Sequence, residues 1–128
     1  MPIIRVESSI PLPDGTSRRS ALDELAACVV AGLNVKPPLQ ARIALFELSP
    51  EAVHVGGTSG TGSAPWLVAH CSLIAGRDEA TVKAFTAEML QTLARVFATD
   101  VRHARVLIQD YPSVYWGNGQ ALAAARSR

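Results

Sequence analysis

Short apolar runs alternate along this chain with two longer stretches in which apolar residues recur every three or four positions. Ile3-Ile4-Arg5-Val6, Ala41 to Leu48, Trp66-Leu67-Val68-Ala69 and Ala104 to Gln109 have the length and apolar content of buried strands. Between the first two runs, Ser17 to Leu33 sets Leu22, Leu25, Ala26, Val29, Val30 and Leu33 on one side of a helix. Between the last two, Asp78 to Phe97 does the same with Phe85, Met89, Leu93, Val96 and Phe97. Asp78 and Glu79 stand in the first turn of this second helix, where the positive end of the helix dipole favours acidic groups. The order strand, helix, strand therefore occurs twice.

The two halves also align with each other without a gap. Pro2 falls on Pro65, Ser9 on Ser72, Ala21 on Ala84, Ala41-Arg42 on Ala104-Arg105 and Gly56 on Gly119. The identities are few, but the strand and helix patterns between them agree, which is the stronger sign of a duplication. The predicted organisation is one α+β domain over residues 1–128, made of two βαβ pseudo-repeats at about 2–57 and 65–120.

Right-handed βαβ crossovers lay their helices on one face of the strands, so two such units give a four-stranded, mainly parallel or mixed sheet with both helices on the same side. The other face is left open. Ile43-Ala44-Leu45-Phe46 and Val106-Leu107-Ile108 are apolar on both faces, which predicts that the open face is covered by self-association. Gly56 to Ser63 reads as a flexible linker between the halves. It is not a phosphate loop, because the lysine of that motif is missing and no helix follows directly.

Composition narrows the function classes. Twelve Lys and Arg against eleven Asp and Glu leave a net charge of +1, so no global field recruits nucleic acid or an anionic membrane. The start of the chain lacks a signal-peptide pattern, and no apolar run approaches the roughly 20 residues needed to span a bilayer. A soluble cytoplasmic protein is expected. In that setting Cys28 and Cys71 read as reduced thiols rather than a disulfide. His54, His70 and His103 show no metal-ligand spacing, which points to packing or surface roles and to no metal.

The candidate chemistry begins at Pro2. Loss of Met1 would make its nitrogen a secondary amine at the head of an apolar strand; retention of Met1 would leave it an amide. In an apolar pocket beside guanidinium groups, desolvation and like charge both push such an amine toward its neutral form, which is a usable base. Pro65 is internal, so its nitrogen is an amide and cannot serve, and one site per chain is expected.

Leu73-Ile74-Ala75-Gly76-Arg77-Asp78-Glu79, then Ala104 to Asp110 and Tyr115-Trp116-Gly117-Asn118-Gly119, resemble a 4-oxalocrotonate tautomerase subunit. The first half is similar in Pro2, in Ala41-Arg42-Ile43 and in Gly56-Gly57, but carries Asp14 where the second carries Arg77. A fused, diverged duplication of the tautomerase superfamily is implied, with the trimeric assembly of its macrophage migration inhibitory factor-like branch and no cofactor.

By that resemblance Pro2 is the acid/base, Arg77 matches the first substrate-binding arginine, Arg105 the second, and Trp116 the aromatic wall of the pocket. Arg42 is the repeat counterpart of Arg105, and either could face the working site; both could equally be strand arginines that guard an edge. Trp116 could instead serve in core or interface packing. The implied substrate is a small carboxylate, an enol or unsaturated 2-oxo acid, and the implied reaction a tautomerisation or isomerisation. A hydratase, dehalogenase or decarboxylase of a three-carbon acid, or a non-catalytic binding protein, is the alternative. Dehalogenation is disfavoured, because Ser113 to Gly117 contains no acid and Ile74 stands where the dehalogenase's extra arginine would be expected.

Overall fold

Strand β1 (Ile3–Ser8) shows how the sheet is sided: Ile4, Val6 and Ser8 are buried while Ile3 and Arg5 face outward, the period of two that an extended chain imposes. It belongs to a computed structural model of the chain, which describes residues 2–37, 40–59 and 64–126. The elements that follow are α1 (Arg18–Gly32), β2 (Arg42–Glu47), the short strands β3 (His54–Val55) and β4 (Thr58–Ser59), β5 (Leu67–Ile74), α2 (Glu79–Val96), β6 (Ala104–Tyr111) and α3 (Gly119–Arg126).

The main sheet has the order β2-β1-β5-β6. Strands β1 and β2 run parallel, as do β5 and β6, which gives the two βαβ units expected from the repeat. The units meet through their first strands, and that pairing is antiparallel, from Ile3 opposite Ser72 to Ser8 opposite Leu67. The second unit is therefore turned end for end relative to the first.

Both helices lie on one face and share a single core with it, including Ile4, Val6, Leu25, Val29, Ala69, Leu73, Phe85, Met89 and Leu93. Each helix starts at a side-chain cap: the Ser17 hydroxyl accepts from the Ser20 N–H at 3.0 Å, and the Asp78 carboxylate from the Thr81 N–H at 2.8 Å. Helix α2 buries Phe85, Met89, Leu93 and Val96, and Phe97 follows them into the core. Helix α1 departs from expectation. Its buried line is Ala21, Leu25 and Val29, continued by Leu33, whereas Leu22 and Ala26 are half-buried and Val30 is exposed. The buried residues follow a single i, i+4 row, and Val30 lies off that row.

The expected linker is partly structured. Gly56 and Gly57, both at positive φ, form a two-residue turn that pairs β3 with β4, the geometry that matches strand twist and suits glycine. Gly60 to Ser63 of that stretch, Met1, and Ser127 and Arg128 of the basic tail lie outside the described residues. The tail is preceded by α3, which the strand-helix-strand reading did not anticipate; the Asn118 side chain accepts from the Gln120 N–H at 2.9 Å and starts it.

The open sheet face is mixed rather than uniformly apolar. Exposed Ile3, Phe46 and Leu107 share it with Arg5, Glu7, His70, Arg105 and Gln109. Cys28 and Cys71 are free thiols, and among the described residues no helix is long and apolar enough to cross a membrane.

Candidate functional site

Pro2 is fully buried at the N-terminal end of β1, and its carbonyl accepts a hydrogen bond from the Arg42 backbone N–H at 3.0 Å. Sheet register shows what else reaches this end. Ile3 stands opposite both Arg42 of β2 and Ser72 of β5, and Ser72 in turn stands opposite Gln109 of β6. The starts of β1 and β2 thus lie level with the ends of β5 and β6.

Beyond those ends the chain turns twice. After β5, the Ala75 N–H donates to the Tyr111 carbonyl at 2.8 Å, and Gly76 at φ 136° admits a bend that a side chain would resist. Arg77 follows. Its guanidinium donates to the Ile74 carbonyl at 3.3 Å and to the Leu33 carbonyl at 3.4 Å. A cation beside the C-terminal carbonyls of α1 is favoured by the helix dipole, and both contacts are long enough to yield to a stronger acceptor. After β6, a single turn over Ser113–Tyr115 brings the chain back so that Trp116 meets Tyr111 edge to face, with ring centroids 5.8 Å apart.

Pro2, Arg42, Arg77 and Trp116 therefore lie at the same end of the sheet, spread across its four strands, and Tyr111, which the sequence reading passed over, lies there too. Its place at the end of a strand gave no signal; only the edge contact with Trp116 singles it out. Arg105 does not join this group within the chain. It stands opposite Val68 near the start of β6, four residues before Gln109 and so roughly 13 Å along the strand from the Pro2 end. There its Nη1 donates to the Arg102 and Ala104 carbonyls at 2.8 and 2.9 Å. The end-for-end relation of the units explains this: residues equivalent in the repeat lie at opposite ends of the sheet.

A second polar cluster, also not foreseen, lies on the open face. Glu7 Oε1 accepts from the Trp66 indole N–H at 3.2 Å and lies 3.0 Å from His70 Nε2, while Oε2 lies 3.3 Å from Arg5 Nε. Partial burial alone would raise the Glu7 pKa, but the hydrogen bonds from His70 and Trp66 and the charges of His70 and Arg5 outweigh it and hold the carboxyl below its ordinary value. Among the described residues, no group of three His, Cys, Asp or Glu side chains is placed to hold a metal ion.

No family model and no curated protein matches the chain. Solved structures do. It is similar to a wild-type fused 4-OT described as an asymmetric trimer, with 32% identity and a TM-score of 0.75 over 98% of this chain and 99% of that one. A second fused 4-OT asymmetric trimer is 31% identical over the same shares, also with a TM-score of 0.75. A third, described as a symmetric trimer, reaches a TM-score of 0.81 at 24% identity over 97% of this chain and 99% of that one, a likeness of fold.

Proposed function

This chain belongs to the tautomerase superfamily as a fused two-unit member, and from that premise we propose that it is a cofactor-independent tautomerase or isomerase of enols or unsaturated 2-oxo acids. The observation that supports the reading is the placement of Pro2, Arg42, Arg77 and Trp116 at the same end of the sheet. Pro2, freed by loss of Met1, is the acid/base. Its neutral nitrogen takes a proton from the enol hydroxyl or the acidic carbon and returns it at another carbon of the conjugated system.

Arg77 and Arg42 supply the positive charge. A planar guanidinium fork binds the substrate carboxylate at two points and can also meet the adjacent oxo group, where negative charge grows as the dienolate forms. Trp116 with Tyr111 walls the apolar side, excludes water and favours the neutral amine. Arg105 enters such a site only from a neighbouring subunit. We take the assembly to be a homotrimer working in the cytoplasm; the trimers described for the similar fused 4-OT structures and the apolar residues on the open face support self-association.

The test is ketonisation of a panel of small enols, 2-hydroxymuconate and phenylenolpyruvate among them, by wild type and Pro2→Ala after intact mass has established that Met1 is absent. Turnover in the wild type and a loss of about 10²- to 10⁴-fold in the variant is expected. Absence of any Pro2-dependent turnover overturns the assignment.

A further inference from the structure

The duplication gives the sheet two ends of related construction, and the second is built around Pro65. A cavity of about 390 Å³ opens there, lined by Pro65, Trp66, His54, Arg102, His103 and Arg105 among others. In the repeat Pro65 is the counterpart of Pro2, Trp66 of Ile3, Arg105 of Arg42 and His54 of Gly117. The counterpart of Arg77 is Asp14. This end has thus lost one cation of the Pro2 end and gained His54, Arg102 and His103. The Pro65 nitrogen is an amide and takes no proton at any ordinary pH, so the cavity retains the means to hold an anion without the base.

We propose that the Pro65 end is a second, non-catalytic binding site for a small dicarboxylate anion. Arg105 is its anchor. Both hydrogen bonds it makes to the Arg102 and Ala104 carbonyls use Nη1, which fixes the guanidinium and leaves Nε and Nη2 without a partner among the described residues. That is the fork geometry that takes a carboxylate at two points. His103 is bonded through Nδ1 to the Thr99 hydroxyl at 3.0 Å, which leaves Nε2 available. Exposed His54 stands across the cavity on β3.

Two carboxylates near the site are already engaged. Asp100 holds Arg102 through Nε and Nη2, both at 3.1 Å, and Glu7 takes the Trp66 indole N–H along with His70 and Arg5. A carboxylate on Arg105 and a second directed to His54, His103 and the shared Arg102 fit this distribution of charge. The cavity volume falls in the range of small-ligand sites.

Because Trp66 lines this cavity and the chain's other tryptophan, Trp116, is at the far end, the full-length Trp116→Phe protein reports on the Pro65 end alone. Titrated with succinate, which offers no enol to turn over, it should show a saturable change in Trp66 emission. The dissociation constant should rise by about tenfold or more in Arg105→Ala and in the double variant His54→Ala, Arg102→Ala, a loss equal to one good ionic contact. The double variant alters exposed side chains, so it tests the site even if Arg105→Ala does not fold. Arg77→Ala should leave the titration unchanged. Trp66 emission that ignores succinate, or a response kept in the double variant, or one abolished by Arg77→Ala, overturns the proposal. None of these readouts requires turnover at Pro2.

Discussion

The backbone N–H of Arg42 donates to the carbonyl of Pro2 at 3.0 Å, so a guanidinium-bearing residue and the proposed base are tied on adjacent parallel strands. Arg105, the counterpart of Arg42 in the repeat, stands opposite Val68 near the start of β6, at the far end of the sheet. Arg42→Ala should therefore lower kcat/KM on an enol substrate by about 100-fold, as expected for loss of a charge-assisted contact in the transition state. Arg105→Ala should lower it far less. Steady-state kinetics of the two variants decide the matter, and a larger loss in Arg105→Ala would place a neighbouring subunit's Arg105 in the working pocket instead.

Phe46 and Leu107 stand 46% and 54% exposed on the open face, on the two edge strands of the sheet. Large apolar side chains at sheet edges are costly in water and dangerous if unpaired. Phe46→Asp with Leu107→Asp should shift the protein from an oligomer to monomers, as read by sedimentation velocity. If wild type already sediments as a monomer at micromolar concentration, the covering of this face by copies of the chain is wrong.

Gly32 closes α1 directly over Phe85 of α2. A Cβ built at Gly32 would meet Phe85 Cδ1 at 2.7 Å, and that ring is 1% exposed and has little room to move. Gly32→Ala should then destabilise the fold by about 1–3 kcal/mol, the usual penalty for overpacking, despite the better helix propensity of alanine. Urea midpoints of the two proteins provide the check. An unchanged or raised midpoint would mean that the two helices separate without cost.

Burial pushes the Cys71 thiol up to about 12, with a smaller contribution from nearby Cys28. Since the thiolate is the reacting species, Cys71 should resist an aromatic disulfide reagent at pH 8 until denaturant is added. Rapid native-state labelling of Cys71, located by peptide mapping, would contradict the buried placement of β5.

What the sequence made legible follows from what is local. The strands and helices rest on period, length and residue type within one segment, and the repeat on the agreement of those patterns between the two halves. The antiparallel pairing of β1 with β5 does not: Ile3 opposite Ser72 is a contact between halves, and nothing in either strand states its direction. Which end of the sheet Arg105 occupies relative to Pro2 depends on that direction. Gly56-Gly57 illustrates a different loss. Read with the glycines and serines after it, the pair looks like a linker, yet two adjacent residues at positive φ make a tight hairpin turn. Tyr111 and the Glu7 cluster stayed hidden for the same reason as the sheet direction, since their partners lie on other elements.

Glu7 couples stability to pH. Its carboxyl is held below its ordinary value because hydrogen bonds from His70 and Trp66, with the charges of His70 and Arg5, outweigh the effect of burial. A carboxyl depressed on folding contributes stability that is complete above the unfolded value, near 4.5, and is lost as pH falls through the lower folded value. Wild type should thus lose urea stability between about pH 5 and pH 3 more steeply than Glu7→Gln, which cannot take up that proton. His70→Ala should lie between them, because Trp66 and Arg5 still hold the carboxylate when the imidazole is gone. Unfolding midpoints for the three proteins across that range test the cluster independently of any activity. Parallel acid limbs in wild type and Glu7→Gln would show that Glu7 is not held as its contacts require.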